Sequence, residues 1–204
     1  MKSCRLIRSL VLGGGLLLLA SCSNNGSVTE YKQIEYSGGP NYKTYARNTG
    51  IGQFSVEYPI AYQINDHNIS PELGTTSGPK VEIHGPNSED YSPTLITIIC
   101  YEKNNSLSDI DMAIQLATAT NKILQKNNLI VSGIKAKEIL FSSTLLPVWG
   151  GAPHPTVPVL EYEKRIFIAN GNLIWEIDVS YDTSHSAQAQ ADFTHVLQTF
   201  KILN

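Results

Sequence analysis

The sequence predicts an α+β domain in which an antiparallel sheet packs with two main helices. Three observations carry this. Phe54-Ser55-Val56-Glu57-Tyr58 alternates apolar and polar at period two, the pattern of a half-buried strand. The runs 159–169 and 172–181 flank Asn170-Gly171, a dipeptide whose tolerance of positive φ suits a two-residue hairpin turn. Apolar residues recur at helical spacing in 107–125 and again in 186–200.

In chain order, residues 1–21 come first. Lys2, Arg5 and Arg8 precede an apolar run from Leu10 to Ala20 that holds no acidic residue, the build of an export signal. About 11 residues make a helix of roughly 16 Å, whereas a hydrocarbon core needs about 20 residues. The run therefore reads as a signal and not as a permanent span. Leu19-Ala20-Ser21-Cys22 closes it and resembles the lipobox of bacterial lipoproteins, in which the cysteine thiol accepts a diacylglycerol. That resemblance implies cleavage before Cys22, lipidation of Cys22, and residence on the cytoplasmic or outer membrane with the domain outside the cytoplasm.

Processing changes the charge. The full chain of 204 residues carries 15 Lys and Arg against 18 acids; loss of 1–21 leaves 12 against 18, a formal charge of −6. Such a surface does not suit a nucleic-acid backbone, and it assigns membrane attachment to lipid. With Cys4 removed and Cys22 acylated, Cys100 is left as a single thiol, so no intrachain disulfide is expected. Lying in the apolar run 95–101, it reads as a small buried hydrophobe.

Residues 22–50 are rich in Ser, Asn, Gly, Thr and Tyr and read as a flexible tether, with Tyr31, Tyr36, Tyr42 and Tyr45 available to pack on the domain or a partner. The domain is expected over 51–204. Its strands are 54–58, 80–84 and the apolar run 94–102, which is long enough to be central. A helix over 107–125 follows, opened by Ser106 and Asp109 in an S-x-x-D box and broken by Asn127-Asn128. A strand over 134–142 comes next. Four prolines and a Gly-Gly pair make 143–158 a long loop, a frequent place for function, and its Trp149 and His154 are candidate partner contacts.

With Asn170-Gly171 as the turn, Ile168 faces Leu173 and Ile166 faces Trp175, giving one apolar hairpin face. The other face carries Glu161, Glu163, Arg165 and Phe167 against Ser180, Asp178, Glu176 and Ile174, with Glu163 directly opposite Asp178. This face reads as acidic and solvent-facing. Glu161, Glu163 and Asp178 join the candidate contacts. The final helix, 186–200, places Phe193, Val196, Leu197 and Phe200 on one stripe that must lie on the sheet.

FSVEYP opening the domain, a helix after the central strand, and EKRIFIANGNLIWEIDVSY leading through a helix into LQTFKIL together resemble the PsbP-like family over 51–204. That family includes extrinsic photosystem II subunits. The resemblance implies an α/β/α sandwich acting as a binding or assembly module without a catalytic constellation, and it carries over no functional residue.

No motif names a reaction. Glycine-rich phosphate loops, nucleophile elbows and H-E-x-x-H are absent from the sequence. Ser132-Gly133-Ile134-Lys135 fits S-x-x-K by spacing alone, between segments of strand character. Asp182 with His185, near the start of the last helix, is the best local metal pair and lacks a third ligand. The expectation is a non-enzymatic lipoprotein without cofactor other than the lipid on Cys22, held at a membrane and binding a protein. A metal-binding or hydrolytic protein of the periplasm is the alternative.

Overall fold

The computed structural model describes residues 32–33, 41–69, 78–86, 94–104, 108–118, 122–145, 159–182 and 186–203; at 32–33, 68–69, 117, 143–145, 159–161 and 182 it describes the backbone alone. In chain order the elements are β1 (Lys32–Gln33), β2 (Tyr42–Arg47), β3 (Phe54–Pro59), β4 (Gln63–Ile69), β5 (Gly78–His84), β6 (Leu95–Glu102), α1 (Ile110–Ala117), β7 (Lys122–Val131), β8 (Ile134–Leu145), β9 (Val159–Asn170), β10 (Leu173–Asp182), α2 (Ser186–Thr199) and β11 (Lys201–Ile202). An eight-stranded sheet runs β1-β7-β8-β9-β10-β6-β5-β4, and a three-stranded sheet runs β11-β3-β2. Every pairing is antiparallel except β1 with β7.

The α+β class expected from the sequence stands. Alternation along each strand of the large sheet sorts side chains to two faces. One face carries Val81, Ile83, Ile96, Ile98, Ile166, Ile168, Trp175, Ile177 and Val179 and buries them against α2 and the small sheet. Phe54 of β3, Trp175 of β10 and Phe200 after α2 meet at its centre, with Trp175 edge-on to both phenyl rings at 5.6 and 5.4 Å between centroids. The opposite face holds a smaller cluster, where Ala113 and Ile114 of α1 lie on Ile139, Phe141, Phe167 and Ile174. A helix thus stands on each side of the large sheet.

Residues 22–50, expected as a tether, need correcting: β1 and β2 fall within them. Tyr42 and Tyr45, three residues apart, stand on opposite faces of β2 and are both half-buried, and β2 pairs with β3 along its length. Tyr42 stacks on His195 of α2 and Tyr45 tilts against Phe54.

The helix expected over 107–125 is shorter. Asp109 caps it by accepting the Met112 N–H at 2.9 Å, and Thr118 closes it, its N–H and hydroxyl both on the Ile114 carbonyl. Residues from Lys122 onward form β7, so Asn127-Asn128 lies within a strand. The reason is a hairpin between β7 and β8. Ser132 and Gly133 both have positive φ, 52° and 76°, the type I′ pattern that suits the twist of paired strands. Leu124, which continued the helical stripe in sequence, is instead 45% exposed on β7.

The β9–β10 register also differs from expectation. The turn is Gly171-Asn172, and Gly171 alone of the pair has positive φ, 57°, as a type II′ turn requires. Asn172 is recruited into the neighbouring strand's ladder, its carbonyl accepting the Lys103 N–H at 2.9 Å, while Lys103 Nζ donates to the Gly171 carbonyl. The pairing therefore slips by two residues, so every side chain keeps its face. Ile168 opposes Trp175 and Ile166 opposes Ile177.

Candidate functional site

On the face of the large sheet that bears α1, strand register sets polar side chains in rows. Glu82 of β5, Thr97 of β6, Asp178 of β10 and Arg165 of β9 are successive cross-strand partners. Glu176 lies two residues from Asp178, beside Ile99 and Phe167. Arg165 joins the group: its Nε donates to Glu163 and its Nη1 to Glu176 Oε1 at 2.8 Å, while the guanidinium lies over the Phe141 ring at 5.1 Å. Tyr101 donates to Glu176 Oε2 at 3.1 Å.

This arrangement corrects the expected acidic, solvent-facing surface. Glu163 opposes Ser180, and Asp178 opposes Arg165. Glu176 is only 6% exposed, and Asp178 Oδ1 is buried with no hydrogen-bond partner among the described residues. Burial raises the Glu176 carboxyl above its usual range, an effect Arg165 and Tyr101 partly offset. Burial, then the Glu176 charge, raises Asp178 well above the ordinary aspartate range, with Arg165 opposing. For Arg165 burial favours deprotonation, but Asp178, Glu176 and Glu163 outweigh it and hold the guanidinium charged. The sequence held one sign of this cover: Phe167 and Ile174 share the face of the charged residues, and apolar side chains at one end of a polar face call for a helix over them.

Next to this row, Lys80 and His84 flank Glu82, and the Lys80 hydrogen bond holds Glu82 below the usual carboxylate range against the effect of burial.

A second polar group lies between α2 and the small sheet. His195, 1% exposed, places Nε2 at 3.0 Å from Glu57 Oε2. Thr199 accepts the Glu57 N–H at 3.0 Å and donates to the His195 carbonyl at 2.9 Å. One helical turn earlier, Asp192 accepts from the Tyr62 hydroxyl at 2.7 Å and from Gln188 at 2.9 Å, and burial with this bond raises the Tyr62 phenol. A cleft of about 400 Å³ opens beside Glu57, Gln198 and Lys201. The Thr199 hydroxyl is committed to the backbone, and the histidine and carboxylate here fix α2 to β3.

Ser132 donates to the Phe200 carbonyl from the β7–β8 turn, which ties two elements and removes the S-x-x-K reading, since that reading needs one helical turn. Cys100 is 1% exposed, and burial pushes its thiol up to about 12, the behaviour of an inert packing residue. Among the described residues, no three His, Cys, Asp or Glu side chains are placed to hold a metal ion. Cys22, Trp149, His154 and His185 lie outside the described residues, and Glu161 and Asp182 are described by backbone alone, as partners in the last β9–β10 pair.

No protein-family model matches the chain, and no curated protein does. Solved structures do. LpqN of Mycobacterium tuberculosis, described as involved in cell envelope biogenesis, aligns at TM-score 0.51 and 10% identity over 81% of this chain and 100% of its own. The cyanobacterial PsbP, CyanoP, of Synechocystis sp. PCC 6803 aligns at TM-score 0.49 and 13% identity over 83% of this chain and 99% of its own. What LpqN shares with this chain is the fold. Among the described residues no helix is long and apolar enough to cross a membrane.

Proposed function

We propose that the chain is a lipoprotein of the bacterial envelope, anchored by acylated Cys22, whose folded part is a non-enzymatic binding or assembly module for an envelope protein. The sequence Leu19-Ala20-Ser21-Cys22 directly after a short apolar run carries this reading. A fold shared with LpqN, itself involved in cell envelope biogenesis, supports it. So does the bonding at both polar groups, where the potential acids, bases and hydroxyls hold secondary structure together. The contact surface assigned to the partner comprises Trp149 and His154 with Glu161 and Glu163. Asp178 is set aside from it because its Oδ1 is buried.

Cell fractionation with intact-mass analysis tests the anchor. The wild-type chain is expected in the membrane fraction with a diacylglycerol adduct and lacking residues 1–21, and Cys22→Ser in the soluble fraction without the adduct. A Cys22→Ser chain that stays membrane-bound overturns the reading. Pull-down from detergent-solubilised membranes tests the module: Trp149→Ala with His154→Ala is expected to lose a partner that the wild type retains. Metal analysis of untagged protein runs beside it, and a stoichiometric bound ion contradicts the pure binding module.

A further inference from the structure

The β1 pairing ties the chain just after its leader to one particular edge of the large sheet. Lys32 and Gln33 run parallel to β7, opposite Leu129 and Ile130. Between Cys22 and Lys32 lie ten residue steps, at most about 35 Å of extended chain. The far edge of the same sheet is β4, six strand spacings from β7 and so about 29 Å away. An anchor at Cys22 therefore reaches the β7 edge easily and the β4 edge only near full extension.

The β7 edge is also chemically suited to a bilayer surface. Lys122 and Lys126 are exposed, and β7 carries no acidic residue. Leu124 between them is 45% exposed, and Leu116 on α1, the helix that leads into β7, is 62% exposed. Two cations and an exposed leucine thus lie along this edge strand of a chain whose mature formal charge is −6. The β4 edge, Gln63–Ile69, has no Lys or Arg of its own, and its Asp66 is paired with Arg47 of β2. A bulge at Ile123/Gln125 and the two lysines discourage a further strand from joining β7, as is usual for a protected edge, and leave the lysine heads free to meet phosphates.

We infer that the β7 edge, with Lys122, Leu124 and Lys126, is the side of the domain that docks on the anionic headgroups of the bilayer holding its own lipid anchor. This rests on acylation of Cys22. Docking there turns the β4 edge away from the membrane. It makes β1 an orienting clasp that shortens the tether.

The experiment uses the full acylated chain in vesicles of phosphatidylcholine with 30% phosphatidylglycerol. A fluorophore is attached at Leu124→Cys or, separately, at Asn65→Cys on β4, and is quenched by nitroxide-headgroup lipid. The wholly buried Cys100 stays unlabelled, which label stoichiometry checks. Quenching at position 124 is expected to exceed that at 65 at least twofold, and the ratio to fall toward one with Lys122→Glu and Lys126→Glu, or with Lys32→Pro and Gln33→Pro, which remove both β1 N–H groups. Equal quenching at the two sites, or more at 65, on protein that floats with the vesicles and carries the adduct overturns the docking surface and leaves the anchor intact. Absence of flotation and adduct overturns both.

Discussion

Arg165 Nη1 lies 2.8 Å from Glu176 Oε1 on the sheet face that α1 partly covers, and the same guanidinium reaches Glu163 through Nε. One cation therefore compensates two carboxylates where water is scarce. Removing it leaves Glu176, 6% exposed, with Tyr101 as its remaining donor. Arg165→Met is expected to cost about 3 kcal/mol in urea-unfolding experiments. Adding Glu176→Gln is expected to recover more than half of that loss, because the uncompensated charge goes with it. Additive losses in the double variant contradict this account.

Asp178 gives the pH dependence its sign. Its carboxyl titrates well above the ordinary aspartate range in the folded chain, chiefly through burial. The folded state then holds a proton that the unfolded state has released, so stability falls as pH rises from that ordinary range toward the folded value. Asp178→Asn has no proton to lose. Its stability relative to wild type is expected to increase with pH over this window, read as the difference in urea midpoints; parallel curves would falsify the assignment.

Gly50 and Gly52 separate backbone strain from crowding. Both have positive φ, 77° and 69°. A Cβ on Gly50 meets nothing within 4 Å, whereas one on Gly52 lies 2.8 Å from both Cβ and Sγ of Cys100. Gly50→Ala is expected to cost about 1 kcal/mol, and Gly52→Ala roughly twice that or more. Thermal unfolding of the two variants side by side checks the order, and equal losses count against the close approach of Gly52 to β6.

Phe200 closes the main core where α2 hands over to β11, its ring 5.6 Å from Phe54 and 5.4 Å from Trp175. Phe200→Ala is expected to cost about 4 kcal/mol. Near-ultraviolet circular dichroism of Trp175 should weaken with it. An unchanged aromatic signal places the three-ring contact elsewhere.

The α+β class, the strands 54–58 and 80–84, the central run 94–102 and the final helix were legible because each buries one regular face, and period two or 3.6 is a local property of sequence. The stretch 107–125 misled because Leu124 continues a helical stripe, while the pairing of β7 with β8 depends on a partner strand and on Ser132-Gly133. Local spacing carries no record of that partner. The candidate site was half visible: alternation placed Glu163, Arg165, Glu176 and Asp178 on one face, but their exposure and pairing were beyond it.

By itself, then, the sequence determined which side chains share a face, since that follows from order along the chain. Tertiary structure alone decided that Asn172 joins the β6 ladder through Lys103, which turns an expected Glu163–Asp178 opposition into an Arg165–Asp178 pairing. It also decided that α1 stands over the face where these charges lie, and that Lys32 and Gln33 pair with β7. These outcomes depend on contacts between residues distant in sequence, whose energies are settled only when the layers close.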